Sequence, residues 1–345
     1  MNISIDTLRS GGLITNYYCN SRCKHCAYCC GPGWPRDYID SDGVGRNLKA
    51  LKRAGCHSVH IGGGEPLLDP ENLAQVLDVC RDEGVNVEYV ETNAGWVGGG
   101  DRHEIDGNGS GRVDAILDSL KTRGLDTLLI SISPFHNEFI PWRMTRTLIE
   151  ACGRTGISVF PWVEGFIPDI TAFPEERNHS LDEYEERFGP GYVAALPSRY
   201  WVSPRGRAVE TFAPYSDPIP TPRLLEANTR PCLELFDTSH FHVDLYGNYI
   251  PGVCTGLAVS VDDLGSPLDP DRYLFITSLM SDGLAGLYDE AVHEYGYEPP
   301  ESCSGKCELC YDIRTFLVLR KEVDSPDLQP TKFYRQYRHG LGVTL

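Results

Sequence analysis

The chain has 345 residues, 41% of them hydrophobic and 23% charged, with a formal net charge of −18. This make-up suits a soluble globular enzyme with a large core and a smaller appended unit, excludes a disordered chain, and argues against a general nucleic-acid footprint, which needs a basic face. The N-terminus MNISIDTLRSGG carries no basic-then-apolar signal pattern and no run approaches the roughly eighteen apolar residues of a membrane span, so a cytoplasmic protein with no membrane partner is expected.

From residue 13 to about 205, short β-like runs alternate with helical patterns, which predicts parallel strands joined by crossover helices. The predicted strands are Leu13 to Tyr18, Ser58 to Ile61, Asn86 to Glu91, Thr127 to Ile132, Ser158 to Val163 and Trp201 to Ser203, with helices near 43–54, 70–83, 111–123, 141–154 and 180–195. Five strands run directly into CNSRCKHC, GGGEP, TNAG, SPFHNE and EGF. In parallel α/β folds the loops at the carboxyl ends of strands build the site, so these segments should meet on one rim. The glycine-rich segment Gly98 to Gly111 reads as a surface loop. After Pro204 the pattern changes: FHVDLYGNYIPGVC predicts a hairpin turning at Gly247-Asn248, and a helix over Tyr311 to Glu322 precedes a polar tail. Residues 1–210 and 211–345 are taken as two domains.

Thirteen cysteines without a secretion signal point to metal or redox chemistry rather than disulfides. Cys56, Cys80 and Cys152 sit in apolar patterns and read as small buried hydrophobes. Cys19, Cys23 and Cys26 supply only three thiolates, whereas a closed zinc site wants four, so one metal position stays open unless His25, Cys29 or Cys30 closes it as a zinc knuckle. CNSRCKHC resembles the CxxxCxxC motif of the radical S-adenosylmethionine (SAM) superfamily. That resemblance implies an α/β fold built on a partial (β/α)6 TIM-like barrel and a [4Fe-4S] cluster on Cys19, Cys23 and Cys26. It further implies SAM chelated at the fourth iron, a low-potential electron donor such as flavodoxin or ferredoxin, and reductive cleavage of SAM to a 5′-deoxyadenosyl radical.

Gly62 to Pro66 stands where the family carries its GGE segment, so Gly63, Gly64 and the Glu65 carboxylate are expected around the SAM ammonium; alone, the triplet would be a tight turn. By the same resemblance Thr92, Asn93, Ser131, Ser133 and Glu164 fall where relatives contact SAM, although such residues also cap helices. Arg143 is a candidate for the SAM carboxylate, against a solvated helix face. His25 takes the place of an aromatic often found before the third cysteine.

Cys232, Cys254, Cys307 and Cys310 resemble the shortened SPASM region called a twitch domain, which implies a small C-terminal α+β unit holding an auxiliary [4Fe-4S] cluster. Cys303 is a fifth candidate, and a zinc site on Cys303, Cys307, Cys310 and Cys254 or a histidine is the alternative. SPRGRAVE is similar to a GRA segment of these relatives; Arg205 and Arg207 within it are substrate or SAM contacts, or ordinary surface arginines. The expected function is hydrogen abstraction from a peptide, protein or small metabolite, ending in oxidation with the auxiliary cluster as electron acceptor. The rivals are an electron-neutral epimerase and a non-catalytic iron-sulfur or zinc protein. With eighteen residues before Cys19, no fused peptide-recognition or cobalamin-binding domain is expected ahead of it.

Overall fold

The computed structural model describes residues 3–98 and 109–340. Most of the expected loop at 98–111 lies outside the described residues, and its end already opens the helix Gly109–Lys121. Ten strands are present among the described residues: β1 (Gly11–Ile14), β2 (Ser58–Gly62), β3 (Asn86–Thr92), β4 (Thr127–Ser131), β5 (Ser158–Trp162), β6 (Ile219–Pro220), β7 (Phe241–Asp244), β8 (Asn248–Ile250), β9 (Val259–Ser260) and β10 (Ser302–Cys303). Eight form one sheet in the order β5-β4-β3-β2-β1-β7-β8-β9, while β6 and β10 pair separately. From β5 to β7 every pairing is parallel, giving a partial barrel of α/β type.

The central strands place apolar residues against the covering helices, while polar residues such as His60 and Glu91 turn to the other face. Leu13, Val59, Ile61, Val90, Leu128 and Ile130 are fully buried. Crossover helices begin at ready-made caps: Asp40 accepts from Gly43 N at 2.7 Å to start Ser41–Arg53, and Asp69 accepts from Asn72 N at 2.9 Å to start Pro70–Asp82, with Pro70 in its first turn.

Three expectations need correction. Trp201 to Ser203 is not a strand: Trp201 is 63% exposed and Pro204 follows at once, so the run has neither a buried face nor room to extend the ladder. The sixth parallel position falls instead beside β1, where β7 sits in register with Gly11↔Phe241 and Ile14↔Asp244. The stretch 180–195 is two helices, Leu181–Phe188 and Tyr192–Arg199, because Gly189 and Gly191 take φ of 103° and 89° around Pro190. The polar tail contains a further helix, Thr331–Gly340, whose Phe333, Tyr334 and Tyr337 are buried.

The hairpin is where it was expected: β7 and β8 pair antiparallel and Gly247 turns between them at φ 83°. It belongs to the main sheet, so the sheet runs across residue 210. The helix expected from Tyr311 starts earlier, as Lys306–Arg320, which puts Cys307 and Cys310 three residues apart on its first turns, facing the same way. No helix among the described residues is long and apolar enough to cross a membrane.

Candidate functional site

The loop after β1 winds so that Cys26 N reaches Cys23 O at 3.1 Å and Cys29 N reaches Cys26 O at 3.4 Å. Cys19, Cys23, Cys26 and Cys30 thereby line a cavity of ≈ 250 Å³ inside the barrel mouth. Gly63, Gly64, Asn93 and Ser131 stand on the same wall, as do His25, Glu91, His136 and Arg207. Asn93 leans on the first cysteine, with Nδ2 at 3.4 Å from Cys19 Sγ and 3.2 Å from Ser21 Oγ.

The cysteines are not equivalent. Burial pushes the Cys19 thiol up to about 12 and raises Cys23 as well. A hydrogen bond from Cys30, helped by the Arg207 charge, draws the Cys26 thiol downward instead. Among the described residues no three His, Cys, Asp or Glu side chains converge as they would around one ion; the thiols are spread along the cavity wall.

A second cavity, ≈ 460 Å³, is lined by Cys232, Cys254, Cys307 and Cys310 together with Arg205, Lys306 and Arg314. Between the two runs a groove of ≈ 930 Å³ that shares Tyr89, Trp162, Trp201 and His240 with the first cavity and Arg205, Glu234 and Cys307 with the second. The segment Ser203 to Arg207 straps the two together. Arg207 is 6% exposed and donates to Cys23 O at 2.9 Å and Cys30 O at 2.6 Å, while Arg205, 7% exposed, donates to Cys307 Sγ at 3.2 Å. Gly206 makes the strap possible: its φ is +51° and a Cβ there would lie 2.2 Å from Ala27 O.

Residues 13–158 match the family model of the radical SAM superfamily. The chain carries a radical SAM domain. Among solved structures it is similar to native anSMEcpe with bound AdoMet, at 13% identity over 97% of each chain with a TM-score of 0.43. It is also similar to BtrN in complex with AdoMet and 2-DOIA, at 12% identity over 82% of this chain and 90% of that one, TM-score 0.41. Against anSMEcpe with bound AdoMet and Kp18Cys peptide the match covers 52% of this chain but only 49% of that one, at 13% identity and TM-score 0.33. No curated protein matches the chain by sequence.

The radical SAM domain implies a [4Fe-4S] cluster and SAM, and the first cavity suits them in donor chemistry: four thiols face it from one loop, the three of the motif and Cys30, and cluster binding would displace the protons that burial keeps on Cys19 and Cys23. Gly63, Gly64, Asn93, Thr92 and Ser131 are brought to that cavity. Three expected residues are not. Glu65 is fully buried below it, with both oxygens already accepting from Leu67 N, Thr92 Oγ1 and Asn93 N at 2.7 to 3.1 Å, and burial pushes its carboxyl up to about 7. Ser133 caps the helix Pro134–Asn137 and pairs with His136 Nδ1 at 2.7 Å, outside the cavity lining. Glu164 is exposed on the turn after β5, because Val163 at φ 65° swings the chain outward.

Cys303 sits on β10 and Cys29 is buried in its loop, neither lining a cysteine cavity, whereas Cys30 does. Arg143 keeps a buried Nε without a partner and does not line the first cavity. Sequence reasoning missed Glu91, which faces the cavity where burial pushes it up to about 7, and the histidines 60, 240 and 242. A signal existed for Glu91: alternation over the last residues of β3, beyond an irregularity between Val87 and Val90, places Tyr89 and Glu91 on the face opposite Val90.

Proposed function

We propose that this chain is an oxidising radical SAM enzyme in which Cys19, Cys23 and Cys26 hold the SAM-binding cluster and Cys232, Cys254, Cys307 and Cys310 hold an auxiliary [4Fe-4S] cluster in a twitch-like unit over 211–345. The groove that joins the two cysteine cavities carries this reading: a substrate seated beside Trp162 and Trp201 has the first set at one end and the second at the other. Held by these residues, the cluster and SAM would supply the radical chemistry that removes a hydrogen atom from an unactivated carbon, and a cluster on Cys232, Cys254, Cys307 and Cys310 would supply an acceptor for the electron the substrate must then lose.

The chain's own residues bind, orient and exclude water. The backbone of Gly63 and Gly64, with Asn93 and Ser131, lines the cavity and would hold the amino-acid end of SAM. Glu65 acts from beneath by fixing Thr92 and Asn93, since its oxygens are spent on them. His25, stacked on Phe135 at 4.5 Å, gives the flat face that an adenine requires. Substrates are a peptide side chain or a small metabolite, the reducing cytoplasm keeps the cysteines as thiols, and a flavodoxin or ferredoxin would donate the low-potential electron for SAM cleavage.

The test is anaerobic reconstitution with iron and sulfide, followed by assay of reductant-dependent formation of 5′-deoxyadenosine from SAM. Cleavage that disappears in Cys26→Ala supports the reading. Stoichiometric zinc with no brown chromophore and no cleavage overturns it.

A further inference from the structure

We infer that Arg205 sets the electron affinity of the second cysteine site, holding the auxiliary cluster at a higher reduction potential so that it takes an electron rather than gives one. The inference rests on the proposed reading of that site as a cluster.

Arg205 is a cation in a place that demands an anion. Its side chain is 7% exposed, and its hydrogen bonds go to Pro204 O at 3.0 Å and Cys307 Sγ at 3.2 Å. Nε is buried with no partner, and among the described residues no carboxylate pairs with this guanidinium. A buried charge without a counter-charge is strongly unfavourable, so the negative group must come from the cavity it faces. That cavity is lined by the four cysteines.

The neighbouring charges do not cancel it. Lys306 is spent on Glu234, at 2.7 Å. Arg314, buried behind Cys310, donates to Cys310 O at 3.3 Å and Thr255 O at 3.0 Å and lies over the Tyr311 ring at 4.3 Å, adding a second guanidinium. Positive charge and N–H donors on the sulfurs both stabilise the reduced, more negative state of an iron-sulfur cluster. The strap holds Arg205 fixed, because Arg207 two residues on is tied to the first cysteine loop.

The experiment is a redox titration of the reconstituted full chain followed by electron paramagnetic resonance with SAM present; the signal that SAM leaves unmoved reports the second cluster. Arg205→Gln and Arg205→Met should weaken its electron affinity at least tenfold, about 59 mV for one electron. Arg205→Lys should keep more than half of that, with iron content equal to wild type in all three. An unchanged midpoint in the Gln and Met variants overturns the inference, as does a Lys variant as low as they are. Loss of the second cluster from both neutral variants also overturns it, since Arg205 would then hold the cluster rather than tune it. A wild-type protein with about four irons instead of about eight removes the auxiliary cluster itself, and the proposed function falls first.

Discussion

His60 and His242 meet Nε2 to Nε2 at 2.9 Å across the bare backbone of Gly12. Strand β1 lies between β2 and β7, with Gly12 opposite both histidines, so only a residue without a side chain lets the two imidazoles touch over it. One of the nitrogens must carry the proton and the other must accept it. Tyr28 OH lies 2.6 Å from His242 Nδ1, which extends the chain to the cavity wall. Tyr89 and His240 stack on the His60 ring from centroid distances of 5.0 and 5.6 Å, and burial pushes His60 down to about 3.

Gly12→Ala should therefore be destabilising by about 1–3 kcal/mol, the usual cost of forcing extra volume into a packed site. The added Cβ would stand 2.3 Å from His60 Nε2. Gly153→Ala, in the helix Trp142–Thr155 with open space around it, should instead stabilise by roughly 0.5–1 kcal/mol. Urea unfolding of both variants checks this, and equal midpoints for the two would contradict it.

Acid should act through the same pair. His60 binds its proton near pH 6.5 when unfolded but only near 3 when folded, so the unfolded state holds more protons between these values and stability falls as pH drops through that window. Glu91 faces His60 at 3.9 Å, and Tyr89, His240 and His242 surround it; Glu65 and Glu91, raised to about 7, pull the opposite way, so the wild-type profile alone is ambiguous. The difference from His60→Gln isolates the histidine: below pH 6.5 the variant should gain on wild type by up to about 1.4 kcal/mol per pH unit. Unfolding at pH 7 and pH 5 measures it, and a constant gap refutes the assignment.

The parallel ladder was legible because short β-like runs, each with a polar loop at its carboxyl end, alternate with helical patterns, and the cysteine triplet because its spacing is local. The strap was not. Arginines are rarely buried unless paired, so surface exposure was the sensible default for Arg205 and Arg207. Their partners, Cys307 and the carbonyls of Cys23 and Cys30, lie 102, 184 and 177 residues away in the chain. His60 and His242 are 182 residues apart and meet only once β7 pairs with β1, a position that sequence reasoning gave to Trp201 to Ser203. The placement of Glu65 was illegible for another reason: the motif gives the residue but not the direction of its side chain, which here accepts from Leu67 N and Asn93 N.

That placement changes what Glu65→Gln should do. With a carboxamide in place of the carboxylate, one of the donors at Asn93 N, Leu67 N and Thr92 Oγ1 loses its acceptor in a buried site, at a cost of about 1–3 kcal/mol. The melting temperature should fall, and SAM affinity should fall with it as Asn93 loosens beside Cys19. Glu91→Gln, on the open cavity wall, should leave the melting temperature near wild type. Weakened SAM binding by Glu65→Gln at unchanged stability would show instead that its carboxylate reaches the ligand.

The two cysteine sets should separate chemically, because each lines its own cavity, with the strap and the groove between them. Replacing Cys19, Cys23 and Cys26 with Ala should leave about four of about eight irons and abolish SAM cleavage. Replacing Cys307 and Cys310 with Ala should also leave about four irons, yet retain reductant-driven formation of 5′-deoxyadenosine, since the first loop, Gly63, Gly64 and Asn93 are untouched. Oxidised product should vanish from this double variant, because a carbon radical left by hydrogen abstraction must still lose one electron to a nearby acceptor. Iron analysis and chromatography of the SAM products measure both halves of the expectation. Normal substrate turnover without the second set would make that cluster structural and favour an electron-neutral reaction such as epimerisation. Loss of SAM cleavage with the first cluster intact would instead place the second set in the folding of the barrel mouth, acting through Arg205 and the strap to the loop that Arg207 holds.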